Sequence, residues 1–125
     1  MATGTDGRRF ESVDRIHFPP GFAREAAALA RAEHLAAAGV PGQHIRMEIG
    51  PSGTLDVVAD VTLAEAVAAG FSTFELGVLL GRARIVGPDL EAALAELARL
   101  GIEANWVRLE ADGYRETHDV RGRSL

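Results

Sequence analysis

Two short alternating runs, at 44–49 and 55–61, constrain this chain more tightly than any other feature. In the first, Ile45, Met47 and Ile49 alternate with Arg46 and Glu48; in the second, Leu55, Val57 and Ala59 alternate with Asp56, Val58 and Asp60. A period of two is the signature of a strand with one apolar face. Pro51-Ser52-Gly53 between the runs is a turn, so the pair reads as a β-hairpin. Matching the apolar faces sets the register: Ile49 opposite Leu55, Met47 opposite Val57, Ile45 opposite Ala59. The same register brings Glu48 opposite Asp56 and His44 opposite Asp60 on the other face.

Helices are signalled on both sides of the hairpin. His17-Phe18-Pro19-Pro20-Gly21 is an extended lead-in, since proline fixes φ and bars the preceding residue from helix. An alanine-rich helix follows over 22–38, stopped by Gly39 and Pro41. Its apolar stripe is Phe22, Ala26, Leu29, Ala36 and Val40, a face suited to a partner helix or a second subunit. After the hairpin, Thr62-x-x-Glu65 and Ser72-x-x-Glu75 are two capping boxes in quick succession. They start two helices that end at Gly70 and near Gly81, a helical corner expected to bury Leu63, Val67, Phe71, Phe74, Leu76, Leu79 and Leu80. Gly77 and Gly81 read as sites of close helix packing.

In the C-terminal third, 82–86 is expected to form a short strand. Gly87-Pro88-Asp89 opens a further helix with Leu90, Leu94, Leu97 and Leu100 in a stripe, closed by Gly101. The run 102–110 reads as a strand, Asp112-Gly113 as a type I′ turn, and 114–120 as its returning partner. The fold class is therefore α+β in a single domain. It has two β-hairpins and a βαβ-like segment in one mixed sheet, packed by about four helices. Residues 1–12 and 121–125 are expected to be disordered tails flanking a domain at 13–120.

Composition removes whole classes of chemistry. With no cysteine there is no disulfide, thiolate zinc site or cysteine nucleophile. All 13 basic residues are arginine, which excludes lysine Schiff bases and the P-loop lysine. Arginine in place of lysine, with abundant alanine and glycine, points to a GC-rich bacterium or its phage. No run of 18 apolar residues spans a membrane, and no signal-peptide pattern opens the chain, so a cytoplasmic location is expected. No serine lies in a nucleophile elbow, and no glycine-rich phosphate loop occurs.

Three constellations remain. The helical corner has the shape of a DNA-reading unit, with Thr73, Arg82 and Arg84 as possible DNA contacts. Between positions 47 and 81, however, there are five acidic residues and no basic one, which opposes phosphate binding. The hairpin's polar face gathers His44, Glu48, Asp56 and Asp60, candidates for acid/base chemistry or weak metal ligation. Trp106 is expected on the outer face of a strand beside Arg108, an anchor for a partner. His118 is expected opposite Val107 in the last hairpin.

The leading expectation is a non-enzymatic protein-interaction, assembly or adaptor module. Its contacts would be Trp106, Arg108, Phe22 and Leu29, its partner another protein or itself as a homodimer. The alternatives are a helix-turn-helix DNA-binding regulator and a small acid/base or metal-dependent enzyme on the hairpin face. No cofactor, nucleic-acid or membrane partner is expected.

Overall fold

Gly50 N–H donates to Thr54 C=O at 2.8 Å and closes the central hairpin. Its arms are a strand at Ile45–Ile49 and a strand at Leu55–Val61. A computed structural model describes residues 7–118 of the chain. The register is the one that the apolar alternation requires: Ile45 faces Ala59, Met47 faces Val57 and Ile49 faces Leu55. Gly53 takes a φ of 83° in the turn, a conformation open to glycine without cost.

A further strand precedes the hairpin, so the order along the chain is β1 (Phe10–Ile16), α1 (Phe22–Ala37), β2 (Ile45–Ile49) and β3 (Leu55–Val61). β1 pairs antiparallel with the free side of β3, from Phe10 opposite Val61 to Ile16 opposite Leu55. The expected tail at 1–12 is therefore wrong from Phe10 onward. Phe10 is 2% exposed and anchors the strand. Its alternate positions Ser12 and Asp14 are polar, which hides the period of two. β3 is buried along most of its length, so its backbone groups require a partner on both sides.

Five α-helices complete an α+β fold among the described residues: α1, α2 (Leu63–Ala68), α3 (Thr73–Arg82), α4 (Gly87–Arg99) and α5 (Ala104–Thr117). Both capping boxes form as spaced in the sequence. Thr62 Oγ1 accepts from Glu65 N–H at 3.1 Å, and Ser72 Oγ from Glu75 N–H at 3.1 Å. No described helix is long and apolar enough to cross a membrane.

The second hairpin is corrected to a helix. α5 runs unbroken through Asp112 and Gly113, and residues 114–117 continue it instead of returning as a strand. Residues 119–120 of that expected strand lie outside the described residues. Read at 100° per residue, Val107 and Ala111 form one buried stripe, and that stripe meets α3. The match of Val107 and Leu109 to a period of two is too short to outweigh it. His118 consequently sits at the helix end, stacked on Tyr114 with ring centroids 4.0 Å apart, and not across from Val107.

The expected strand at 82–86 is also absent. Arg82 ends α3, and Ile85 N–H donates back to Leu80 C=O at 3.2 Å while Arg84 adopts a φ of 57°. This is a Schellman closure, with the apolar residue after the left-handed position folded into the core. The same 6→1 bond closes α1, α2 and α4, from Val40 to Leu35, Phe71 to Ala66 and Ile102 to Leu97. Those three closures carry glycine where α3 carries Arg84. With no strand at 82–86 or 102–110, there is no parallel βαβ unit among the described residues, and the sheet is antiparallel in the order β1-β3-β2, not mixed.

α3 and α5 pack closely, as Gly77 and Gly81 predict. Gly77 lies against Val107, Glu110 and Ala111, and Gly81 against Ala111 and Tyr114. Four residues along α3 correspond to about four along α5, so the two helices run parallel, with α4 as the return. α1 covers the face of the sheet that bears Val57, Ala59 and Val61, through Ala28 and Leu35. His34 Nε2–H on α1 donates to Ala69 C=O at the end of α2 and ties α1 to the helical corner.

Candidate functional site

The opposite face of the sheet carries the hairpin's polar residues, and arginines meet its acids. Asp56 is the buried one, at 4% exposure; it accepts from Arg15 Nη1 at 2.8 Å and from Thr54 Oγ1 at 2.7 Å. Gly50 leaves the space for this cluster, because a Cβ there would fall 2.6 Å from both Asp56 Oδ2 and Thr54 Oγ1. Glu48 accepts from Arg46 Nε at 2.5 Å, and the same guanidinium reaches Glu11 at 3.3 Å and Asp60 at 3.8 Å. These acids, Glu48 foremost through its hydrogen bond, hold the Arg46 pKa above its ordinary value. Arg82 adds a second cation to Glu11 at 3.1 Å.

His44 does not join this set across the ladder. It ends a 3-10 turn at Gly42–His44, and pairing with β3 begins only at Ile45. Among the described residues, no group of three or more His, Cys, Asp or Glu is placed to hold a metal. Glu48, Asp56 and Asp60 thus sit in a lattice of ion pairs, with Val13 and Val58 on the same face of the sheet. Three arginines, Arg15, Arg46 and Arg82, meet four carboxylates, Glu11, Glu48, Asp56 and Asp60, and an open cavity of about 430 Å³ lies among Glu11, Arg15, Glu48, Asp56 and Arg82.

The helical corner presents little to a groove of DNA. Leu76, Leu79, Leu80 and both glycines of α3 are buried, and its first turn offers Thr73, Phe74 and Glu75. Glu75 is turned back onto Ser72 N–H by the capping box. Arg82 is at the far end of α3 and bound to Glu11, while Arg84 lies beyond it in the closing turn. A groove of about 170 Å³ runs between the free edge of β1 and α3, past Phe71, Phe74 and Val78. It is smaller than the roughly 300 Å³ at which ligand sites begin.

Exposed apolar side chains are the more distinctive feature: of ten large ones among the described residues, seven fall into two surfaces, the others being Phe18, Val86 and Leu100. The first belongs to α1 and β2: Phe22 is 76% exposed, Ile49 66%, Leu29 55% and Met47 44%. Arg31 on α1 pairs with Asp14 of β1 at 3.1 Å, so that flank of the helix looks toward β1. Leu29 stands roughly 200° around the helix from Arg31, and Phe22 beside Leu29, on the flank toward β2. The outward stripe of α1 is thus the Phe22, Ala26, Leu29 and Ala36 series, whereas its buried side is Ala28 and Leu35.

The second surface belongs to α3 and α5. Trp106 and Leu109, one turn apart, are 58% and 60% exposed. Phe74, expected in the core, is 58% exposed instead. It precedes Gly77 by one turn as Trp106 precedes Glu110, which places both at one level of the parallel pair. Arg108 faces α4, where its guanidinium grips Glu91 at 2.7 and 3.0 Å.

The four expected contact residues are therefore divided: Phe22 and Leu29 on one surface, Trp106 on the other, and Arg108 in an exposed ion pair with Glu91 of α4. Met47, Ile49, Phe74 and Leu109 join the surfaces without having been expected there. For Met47 and Ile49 the only signal is negative, since an edge strand beside an alanine-rich helix receives little cover. No family model, curated protein or solved structure matches this chain.

Proposed function

We propose that the chain is a non-enzymatic protein-interaction module, working in assembly or as an adaptor. The carrying observation is the gathering of seven of the ten large exposed apolar side chains into two surfaces, α1–β2 and α3–α5. Burying one such side chain fully is worth about 1.5–3 kcal/mol, so three or four together can offset much of the cost of association. Aromatic anchors such as Trp106 and Phe22 are the residue types that dominate binding energy at protein interfaces.

The polar face supports the same reading by default. Each of its carboxylates is paired with an arginine of the same chain, and among the described residues no three of its acids are placed to hold a metal. The acidic 47–81 segment and the ion-paired Arg82 give nucleic acid little purchase. In its proposed setting, the cytoplasm of a GC-rich bacterium or of a phage-infected cell, the module would engage folded protein.

Site-specific photocrosslinking tests this. A photoreactive residue at Trp106 or Ile49 should trap protein, and one at the exposed Glu116 should not. If neither Trp106 nor Ile49 yields protein adducts above the Glu116 background, the module reading is wrong.

A further inference from the structure

β2 is an edge strand, and its outward backbone groups follow from the hairpin geometry. The Gly50–Thr54 hydrogen bond fixes which residues of β2 point inward. Because bonded pairs alternate in an antiparallel ladder, Glu48 and Arg46 bond toward β3, and Ile45, Met47 and Ile49 direct N–H and C=O away from it. The Ile45 amide is taken by Gly42 C=O. The amides of Met47 and Ile49 and the carbonyls of Ile45 and Met47 therefore face the open edge.

This edge is complementary to itself. We infer, on the module reading above, that β2 pairs antiparallel with β2 of a second copy, about a twofold axis at Met47. In that register Met47 N–H of each copy donates to Met47 C=O of the other, and Ile49 N–H to Ile45 C=O. Arg46 then stands opposite Glu48 of the second copy, and Glu48 opposite its Arg46. Opposite charges directly across a strand pair stabilise it, and like charges oppose it. Charged residues on an edge strand ordinarily discourage pairing; here the order Arg-x-Glu reverses under the twofold and attracts.

The apolar face agrees. The axis stands perpendicular to the sheet, so both copies of α1 lie on the same side of the joined sheet. Placed over β3, they are about three strand spacings apart, roughly 14 Å. Direct helix contact needs 8–10 Å. Phe22 and Leu29 project from each helix into that gap, above Met47 and Ile49. The pairing thus draws together Phe22 and Ile49, the two most exposed large apolar side chains among the described residues.

The chain's lack of cysteine provides a direct test. Met47→Cys should form a disulfide-linked dimer rapidly under mild oxidation, since directly bonded antiparallel partners have Cα atoms about 5.5 Å apart, within disulfide reach. Ile49→Cys, paired with Ile45 of the other copy, should cross-link at least tenfold more slowly. By sedimentation, the 125-residue chain should reach twice its 13.2 kDa mass. Met47→Pro removes an outward amide and spares the ladder to β3; it should weaken dimerisation at least tenfold. Arg46→Glu and Glu48→Arg should each be monomeric and, when mixed, form a heterodimer. A monomeric parent chain, a dimer indifferent to Met47→Pro, or equal cross-linking at 47 and 49 would overturn the inference. A monomer that still traps protein at Trp106 would leave the module reading standing; a monomer that traps none would remove both.

Discussion

Replacing Gly77, Gly81 and Gly113 by alanine, one at a time, should give effects of opposite sign within a single fold. All three are helical, so alanine carries the same intrinsic advantage at each, about 0.5–1 kcal/mol. What differs is space. A Cβ on Gly81 would sit 2.9 Å from Tyr114 Cβ and 3.1 Å from Ala111 O. One on Gly77 would meet Glu110 Cβ and lie 3.0 Å from both Val107 O and Ala111 N. Backbone atoms cannot rotate aside, so α5 itself must shift, and overpacking of this kind costs about 1–3 kcal/mol. Gly113 has no atom within 4 Å of its Cβ position. The net expectation is a loss of roughly 1–2 kcal/mol at Gly77 and Gly81 and a gain of about 0.5–1 kcal/mol at Gly113. At this chain length 1 kcal/mol moves Tm by about 4 °C, so calorimetry and urea melts resolve both signs. Stabilisation by Gly77→Ala would refute the close parallel packing of α3 on α5. Destabilisation by Gly113→Ala of more than about 1 kcal/mol would mean a positive φ at Asp112-Gly113 and restore a turn there.

Arg84→Gly should stabilise the fold by about 1 kcal/mol, since Arg84 alone among the four Schellman positions carries a Cβ in the left-handed region, and urea unfolding would read the change. Arg108 holds the Glu91 carboxyl below the usual carboxylate range through their hydrogen bonds. Its contribution should therefore be present above the unfolded-state value and fade as pH falls through the depressed one; Arg108→Gln should return the Glu91 midpoint, followed by NMR, to the ordinary range.

Legibility tracked the range of the interactions involved. The hairpin register, both capping boxes and the glycine closures of α1, α2 and α4 were readable because their determinants lie within about ten residues of one another. Phe10 was misplaced because its strand has polar residues at alternate positions, and only the need of β3 for a second partner makes 10–16 extended. At 102–117 two periodicities competed over a few residues. The winner, Val107 with Ala111, is identified by the glycines it meets on α3, some thirty positions earlier.

The candidate surfaces divide in the same way. That α1 has an apolar stripe of Phe22, Ala26, Leu29 and Ala36 was plain from spacing. That this stripe faces outward, while Ala28 and Leu35 face the sheet, was not. Two apolar stripes were available on one alanine-rich helix, and the Arg31–Asp14 and His34–Ala69 contacts select between them. The charges show the converse: the hairpin's own Arg46 meets Glu48 and Asp60, but the partner of the buried Asp56, Arg15, comes from β1, some forty positions earlier.

The amino-acid sequence by itself determined the local grammar: where helices start and stop, which residues of the hairpin face each other, and which chemistries are excluded for want of cysteine and lysine. Only the tertiary structure decided which apolar residues are core and which are surface. Burial depends on what a face is packed against, and that partner is distant in the chain. Met47 and Ile49 have the pattern of core residues, yet they lie on an edge strand that α1 leaves uncovered.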